Sequence, residues 1–224
     1  MSTALNSLKV IRGLIAFINS YTVKSADNLT DAVKDLKAES ERGFDLLRKV
    51  VNGTVEALSA KDLGNITKLG SNLFKGNTSL VYFEFPETVT EIGGSCFYNC
   101  NNLVSYSLPE GITALADNIF YYTKVAFTKL PDGLTSIGTN VFSGCTELRI
   151  NEIPAGVRSI GRGAFSGCTS IESITFKGTP SSIDRSVFNN CTNLAVINVP
   201  WAEGAVANAP WAATNAVVNY NCKV

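Results

Sequence analysis

The stretch SIGRGAFSGCTSIESITF, residues 159–176, decides the fold, because close copies of it recur along the chain at a nearly constant spacing. The copies are marked by six phenylalanines that lie 22 or 23 residues apart: Phe74, Phe97, Phe120, Phe142, Phe165 and Phe188. A period in this range is typical of a solenoid, in which each unit buries its apolar face only by stacking on its neighbours. We therefore predict one repeat domain of six coils over residues 62–200.

Each copy combines two apolar segments with a turn between them. Phenylalanine follows an Ile-Gly pair by four residues, cysteine follows three residues later, and a Leu-x-x-Ile-x-Leu-Pro segment comes next. The last segment predicts a short strand whose apolar residues point into the solenoid, and the proline ends it because it lacks an N–H for the ladder. The Ile-Gly segment predicts a second short strand on the opposite side of the coil, with Phe and Cys filling the space between.

Composition argues against most kinds of chemistry. Nineteen basic residues balance nineteen acidic ones without a Lys/Arg block, which disfavours nucleic-acid binding. The chain has no histidine, the commonest general base and metal ligand. It also has no P-loop and no GxGxxG motif after a strand. We predict a protein that is not an enzyme and that uses no cofactor and no metal.

Four of the six cysteines share one repeat position: Cys100, Cys145, Cys168 and Cys191. Asn77 and Thr123 replace them in the other two copies, which favours reduced thiols that form hydrogen bonds inside the turn. The alternative is a disulfide between neighbouring coils, since adjacent strands lie about 4.8 Å apart. Cys96 and Cys222 lie outside the repeat position.

The first 61 residues predict two helices. Residues 1–24 form a short apolar helix, which Lys9 and Arg12 interrupt, so we expect neither a signal peptide nor a membrane span. Residues 25–61 form an amphipathic, coiled-coil-like helix that runs from about Asp27 to Leu58. The helix either caps the solenoid or forms a dimeric or trimeric stalk, and its predicted oligomerisation seam comprises Leu29, Val33, Leu36, Phe44, Leu47 and Val51.

Residues 201–224 predict a C-terminal cap. Trp201 and Trp211 follow prolines, and a final strand is expected over residues 216–220. Two large rings could close the end of a solenoid core, and the alternative is an exposed aromatic platform for a ligand.

The repeat resembles the BspA-like leucine-rich repeats, whose consensus is similar to L-x-x-I-x-L-P-x-x-L-x-x-I-G-x-x-A-F-x-x-C, and residues 154–176 match it closely. The resemblance implies a leucine-rich repeat solenoid, which together with the N-terminal α-helical segment gives an α+β chain. It also implies an adhesion or recognition role, as in bacterial and protist surface proteins and in phage proteins. The segment 199–221 is similar to the ending of repeat proteins of gut phages.

Three functions follow as expectations. The first is a phage virion or tail-associated protein that binds a protein or a cell-surface glycan receptor from the particle surface. The second is a bacterial cell-surface adhesin, and the third is a structural spacer without a specific ligand.

The third and fourth copies depart from the frame. Thr128 and Asn151 occupy the Ile position, and Phe127 and Ile150 precede them. If the register holds, Thr128 and Asn151 lie inside, and Phe127 and Ile150 form an exposed apolar patch. The predicted ligand contacts are Tyr82, Phe127, Lys129, Ile150, Glu152 and Val196. The alternative is a local bulge, caused by the missing residue of the third copy, that returns Phe127 and Ile150 to the core.

Overall fold

The computed structural model describes residues 56–223. The helices predicted within residues 1–55, with the oligomerisation seam from Leu29 to Val51, therefore lie outside the described residues. The six coils are numbered here by their ranges: coil 1 (68–86), coil 2 (91–109), coil 3 (114–131), coil 4 (136–154), coil 5 (159–176) and coil 6 (182–200).

Short parallel strands lie on two sides of each turn of the solenoid, as the sequence predicts. One side carries β1 (Ala57–Leu58), β3 (Tyr82–Phe83), β7 (Glu152–Ile153), β9 (Ser173–Phe176), β11 (Val196–Asn198) and β12 (Val217–Asn219). The opposite side carries β2 (Lys68–Leu69), β4 (Glu91–Ile92), β5 (Ala114–Leu115), β6 (Ser136–Ile137), β8 (Ser159–Ile160) and β10 (Ser182–Ile183). On the first side β1 pairs with β3, and β7, β9, β11 and β12 form a second ladder. We call the outward surface of this side the strand face.

The solenoid begins earlier than the sequence suggests. Ala57 and Leu58 form β1, which pairs with Tyr82 and Phe83, so the prediction of a helix reaching Leu58 and of repeats starting at residue 62 is wrong. Leu58 is only 1% exposed. Burial of this side chain and pairing with β3 outweigh the weak helical preference of an alternating segment. A one-turn helix, α1 (Ala60–Leu63), follows with a Ser59–Asp62 capping box.

The six repeat phenylalanines form one continuous column of stacked rings. Successive ring centroids lie 5.3, 5.6, 5.6, 5.5 and 5.7 Å apart, and neighbouring ring planes are within 17° of parallel. All six rings are buried. Each ring therefore packs against its counterparts in the adjacent coils, which explains why the period of this residue is kept so closely.

The turn that carries each phenylalanine is bonded to both neighbouring coils. The N–H groups of Phe97, Phe120 and Phe142 donate to carbonyls of the following coil at 2.8–3.0 Å. In the other direction, the repeat thiols donate to the phenylalanine carbonyl of the preceding coil, at 3.0 or 3.1 Å for Cys100, Cys145, Cys168 and Cys191. All six cysteines are free, so the disulfide alternative is not realised. Cys96 is buried and Cys222 is half-buried.

Coils 2–4 bury a different set of strand residues from the predicted one. In coil 3 the buried residues are Val125, Phe127 and Leu130, and in coil 4 they are Leu148, Ile150 and Ile153. Phe127 is 0% exposed and Ile150 is 1% exposed, so the predicted apolar surface patch is wrong. Thr128 and Asn151 face solvent instead of the core.

The bulge alternative places Phe127 and Ile150 correctly but for the wrong reason. The missing residue of coil 3 falls in the turn before Val125, and coil 2 has the full length yet follows the same pattern. In coil 2 the inward residues are Leu103, Ser105 and Leu108. The shift is therefore a property of the strand segment and not of repeat length.

Two tryptophans extend the core beyond coil 6. Trp201 and Trp211 are 6% and 0% exposed, and their rings lie 5.3 and 5.7 Å from that of Phe176. The indole N–H of Trp211 donates to the carbonyl of Ala207 at 2.8 Å. Neither ring faces solvent, as a ligand platform would require. The strand expected over 216–220 is β12, which pairs with β11.

Candidate binding surface

The described part of the chain presents surfaces and no reactive centre. Within residues 56–223, no group of three or more His, Cys, Asp or Glu side chains could hold a metal ion. Burial raises the pKa of the Cys145 thiol to about 12 and that of Cys191 to about 11, so these thiols are neutral at physiological pH. The functional candidates are therefore side chains on the outside of the coils.

Four of the six predicted contact residues lie on the strand face. Tyr82, Lys129 and Glu152 are exposed and Val196 is half-buried, whereas Phe127 and Ile150 belong to the core. The structure does not gather the four into one cluster, because they belong to coils 1, 3, 4 and 6. It spreads them along the ladder, where they form parts of three differently composed zones.

The first zone is aromatic. Tyr106 is 64% exposed, and its ring centroid lies 6.3 Å from that of Tyr82, which is 37% exposed. We call these two residues the tyrosine pair. Sequence reasoning placed Tyr106 inside at the Ile position and so missed it. The signal that could have found it is Ser105, whose small side chain fits the crowded inward position that Phe127 and Ile150 hold in the next coils.

The second zone, on coils 3 and 4, is charged. The Lys129 ammonium lies 3.0 Å from the Asp132 carboxylate and 3.3 Å from that of Glu110. Hydrogen bonds to Asp132 and then to Glu110 raise the pKa of Lys129. Glu152 pairs with Lys177 at 3.0 Å. These pairs are solvent-exposed, so they add little to stability but give the zone a defined arrangement of opposite charges.

The third zone, on coils 5 and 6 and β12, is a row of amide and hydroxyl groups. The Asn219 amide donates to Asn198 Oδ1 at 2.9 Å, and the Asn198 amide donates to Thr175 Oγ1 at 3.3 Å. Val196 lies on the same strand as Asn198. Each side chain of the row satisfies the next, so this zone offers fewer free groups to a partner than the tyrosine pair does.

The fold defines a class of protein. Short parallel strands on two sides of each coil, one ring column and a cysteine turn are the features of a leucine-rich repeat solenoid. Six copies of the BspA type leucine rich repeat region match residues 67–195. The chain therefore belongs to the BspA-type leucine-rich repeat family, as its resemblance predicts.

Solved structures of bacterial leucine-rich repeat proteins are similar to the chain. A leucine-rich repeat protein from Bacteroides ovatus is 31% identical with a TM-score of 0.51, and the match covers 59% of this chain and 35% of that one. A leucine-rich repeat protein from T. pallidum is 26% identical with a TM-score of 0.54, over 65% of this chain and 72% of that one. The chain thus spans about a third of the B. ovatus protein. No curated protein matches it.

Proposed function

We propose that the chain is a protein-binding repeat module and that its contact surface is the strand face, centred on the tyrosine pair. The observation that carries the proposal is the exposure of two neighbouring aromatic rings, Tyr82 and Tyr106, on a solenoid whose large apolar side chains are otherwise almost entirely buried. Family membership supports a binding role, because the coils of a solenoid provide an extended surface with little other chemistry.

The composition of the strand face supports a protein as the ligand. Tyrosine is enriched in the centres of protein interfaces, because its ring contributes a large contact area at a low cost in side-chain entropy. The charged zone around Lys129 and Glu152 lies along the same face and fits the polar rim that usually surrounds such a centre. Because the tyrosines stand on paired strands, little ordering accompanies binding.

We further propose a place of action at a bacterial cell surface. Membership of the BspA-type family and the similarity to proteins of B. ovatus and T. pallidum support this location. None of these comparisons names a phage protein, so the virion expectation has no such support. Within residues 56–223, no helix is both long and apolar enough to cross a membrane.

Binding to extracellular proteins tests the contact surface. The full chain is immobilised and incubated with soluble extracellular matrix proteins, in parallel with the Tyr82→Ser/Tyr106→Ser variant and a Ser143→Ala control on the turn. We expect the parent and the control to retain the same discrete proteins and the double variant to lose them, with unchanged circular dichroism for all three. Retention that is equal for all three, or no retention by the parent, would contradict the proposal.

Self-association through residues 25–55 stays a separate proposal. Light scattering on the full chain and on a chain that begins at Glu56, which keeps β1, measures it directly. A dimer or trimer that becomes a monomer on removal of residues 1–55 supports a helical stalk, and a monomer in both cases contradicts it.

A further inference from the structure

A second exposed aromatic cluster lies away from the strand face, on the turns of coils 1–3. The rings of Tyr98 and Tyr121 are stacked, with centroids 4.7 Å apart and planes 6° from parallel. The ring of Tyr122 meets that of Tyr121 edge-on, also at 4.7 Å. Lys75 extends the row, with its ammonium 4.9 Å from the centroid of Tyr98. We call Lys75, Tyr98, Tyr121, Tyr122 and the adjacent Lys124 the tyrosine edge.

The fold does not require these tyrosines. The positions of Tyr98 and Tyr121 are held by Ser143, Ser166 and Asn189 in coils 4–6, where the same turn forms with the same hydrogen bonds between coils. The side chains at this position point outward, so a serine or an asparagine serves equally well. The rings of the tyrosine edge therefore need an explanation other than folding.

Tyr122 is the strongest sign of such a role. Its φ is +52°, at a position that Gly76, Gly144, Gly167, Asn99 and Asn190 occupy in the other coils, all with positive φ. A bulky side chain is strained in this left-handed region, whereas glycine and asparagine adopt it readily. Tyr122 is nevertheless kept, 53% exposed, with its ring lying over Gly144, where a Cβ would come within 3.0 Å of the ring. Backbone strain of this kind concentrates at binding sites.

The charges around the cluster have one sign. In the turn segments 72–79, 95–102 and 118–124, Lys75 and Lys124 are the charged residues, and neither an aspartate nor a glutamate occurs. Two ammonium groups beside three phenolic hydroxyls attract carboxylates and offer them hydrogen-bond donors. Charge complementarity therefore indicates an anionic ligand.

The ring geometry favours a protein over a glycan. A sugar stacks on a free ring face, but the inner faces of Tyr98 and Tyr121 are turned toward each other, and Lys75 lies over Tyr98. What remains accessible are ring edges and hydroxyls among Asn, Ser and Gly residues, the composition that antibody paratopes use to bind proteins. We infer that the tyrosine edge is a second protein-binding surface, and that its ligand is an acidic segment of a partner protein.

Binding to a peptide array tests this inference. The full chain is applied to short synthetic peptides with graded contents of Asp and Glu or of Lys and Arg, and to immobilised heparin as an anionic glycan. We expect retention on acidic peptides that weakens with added salt, because the attraction is between exposed charges. The Tyr98→Ser/Tyr121→Ser variant should lower retention about tenfold, as for an interface hot spot. The Lys75→Gln/Lys124→Gln variant should remove the salt dependence.

Tyr106→Ser, on the strand face, is the matched control and should retain the peptides like the parent. Equal loss in this control would move the site to the strand face and overturn the inference. Retention on heparin but not on acidic peptides would make the ligand a glycan. Absent retention, or equal retention on acidic and basic peptides, would also overturn it.

A Tyr122→Asn variant separates binding from a structural role. Asparagine fits the positive φ, so the thermal midpoint should stay equal or rise while peptide retention falls. A lower midpoint with unchanged retention would show that Tyr122 only supports the turn, and would contradict its place in the site.

Discussion

Coils 2–4 and coils 5–6 build the same turn but continue it with different strands. Counting from the first apolar residue after the turn, coils 5 and 6 bury the first, fourth and sixth residues, as in Ile171, Ile174 and Phe176. Coils 2–4 bury the first, third and sixth, as in Leu148, Ile150 and Ile153. Coils 5 and 6 carry regular strands in register with β12, whereas coil 2 contributes a single bridge at Val104.

The pleat of a strand explains why two solutions exist. Side chains of a strand alternate between its faces, so residues five apart cannot both point inward along a regular strand. Each coil must therefore place two consecutive residues outward. Coils 5 and 6 place them early, at positions such as Glu172 and Ser173, before the paired segment. Coils 2–4 place them late, at positions such as Asn151 and Glu152, where the alternation needed for pairing is interrupted. The late pair is what turns Tyr106 outward.

The largest expected effect comes from the turn, which both groups share. The ordinary thiol pKa of 9.0 is raised to about 12 for Cys100 and Cys145 by burial. Below pH 9 the thiols are protonated in both folded and unfolded states, and their contribution is constant. Between about pH 9 and 12 only the unfolded state loses the proton, so each thiol costs about 1.4 kcal/mol of stability per pH unit. Several thiols together should unfold the chain in alkaline solution.

Urea midpoints between about pH 8 and 11, with reductant present, measure this loss. The Cys145→Thr variant, which copies the natural Thr123 of coil 3, should show a shallower decline than the parent. Parallel curves for the parent and the variant would show that burial of this thiol does not govern alkaline stability.

The next effect sharpens the assignment of the middle coils. Phe127 is fully buried and packs edge-on against Phe120, at 5.3 Å, and Phe142, at 6.2 Å. Phe127→Ala should therefore lower the free energy of unfolding by about 3–5 kcal/mol, since it leaves a cavity in the core. Phe176→Ala, at the sixth position of coil 5, should cost a similar amount. A change below about 1 kcal/mol for Phe127 in urea unfolding would restore the predicted surface patch.

A smaller effect asks whether one coil can be moved from one group to the other. Ile150→Ser alone should cost about 3 kcal/mol, because it empties a buried position. Asn151→Ile alone should change stability by less than about 0.5 kcal/mol, because residue 151 is exposed. The double variant reads Leu-x-x-Ile-x-Ile, like coil 5, and should recover about 2 kcal/mol by turning residue 151 inward. Additive losses in this double-mutant cycle would show that the neighbouring coils hold the register whatever the local sequence.

The smallest expected effect lies on the surface of the middle coils. Thr128→Ala and Tyr106→Ser should each alter the free energy of unfolding by less than about 0.5 kcal/mol, since both side chains face solvent. Their neighbour Ser105, 2% exposed, provides the contrast: Ser105→Asp should destabilise strongly by burying a charge. A large loss for Thr128→Ala would mean that its hydroxyl serves the core.

Alkylation gives a further check that treats both groups alike. Iodoacetamide at neutral pH should label Cys222, which is half-buried, and leave the five buried cysteines intact until denaturant is added. Mass spectrometry of the native protein is expected to show one adduct. Rapid labelling of Cys100 or Cys168 would indicate local opening of their turns.

Much of the architecture was predictable, because stacking requires the same residue at the same place in every coil. The phenylalanine column, the two-sided strands and the reduced thiols all follow from that requirement, and the structure bears them out. The candidate site was less predictable. Tyr82, Lys129 and Glu152 were placed outward correctly, but Phe127 and Ile150 were not, and Tyr106 was missed. The strand β1 was mistaken for the end of a helix.

The sequence by itself determined the period, the turn and the ends of each strand segment, since these are set by residues that recur. Only the tertiary structure decided where the two outward residues of each segment lie. Both placements leave the first and sixth residues inside, so an isolated repeat does not discriminate between them. The choice depends on packing against adjacent coils, as Phe127 does between Phe120 and Phe142, and that packing brings Tyr106 to the surface beside Tyr82.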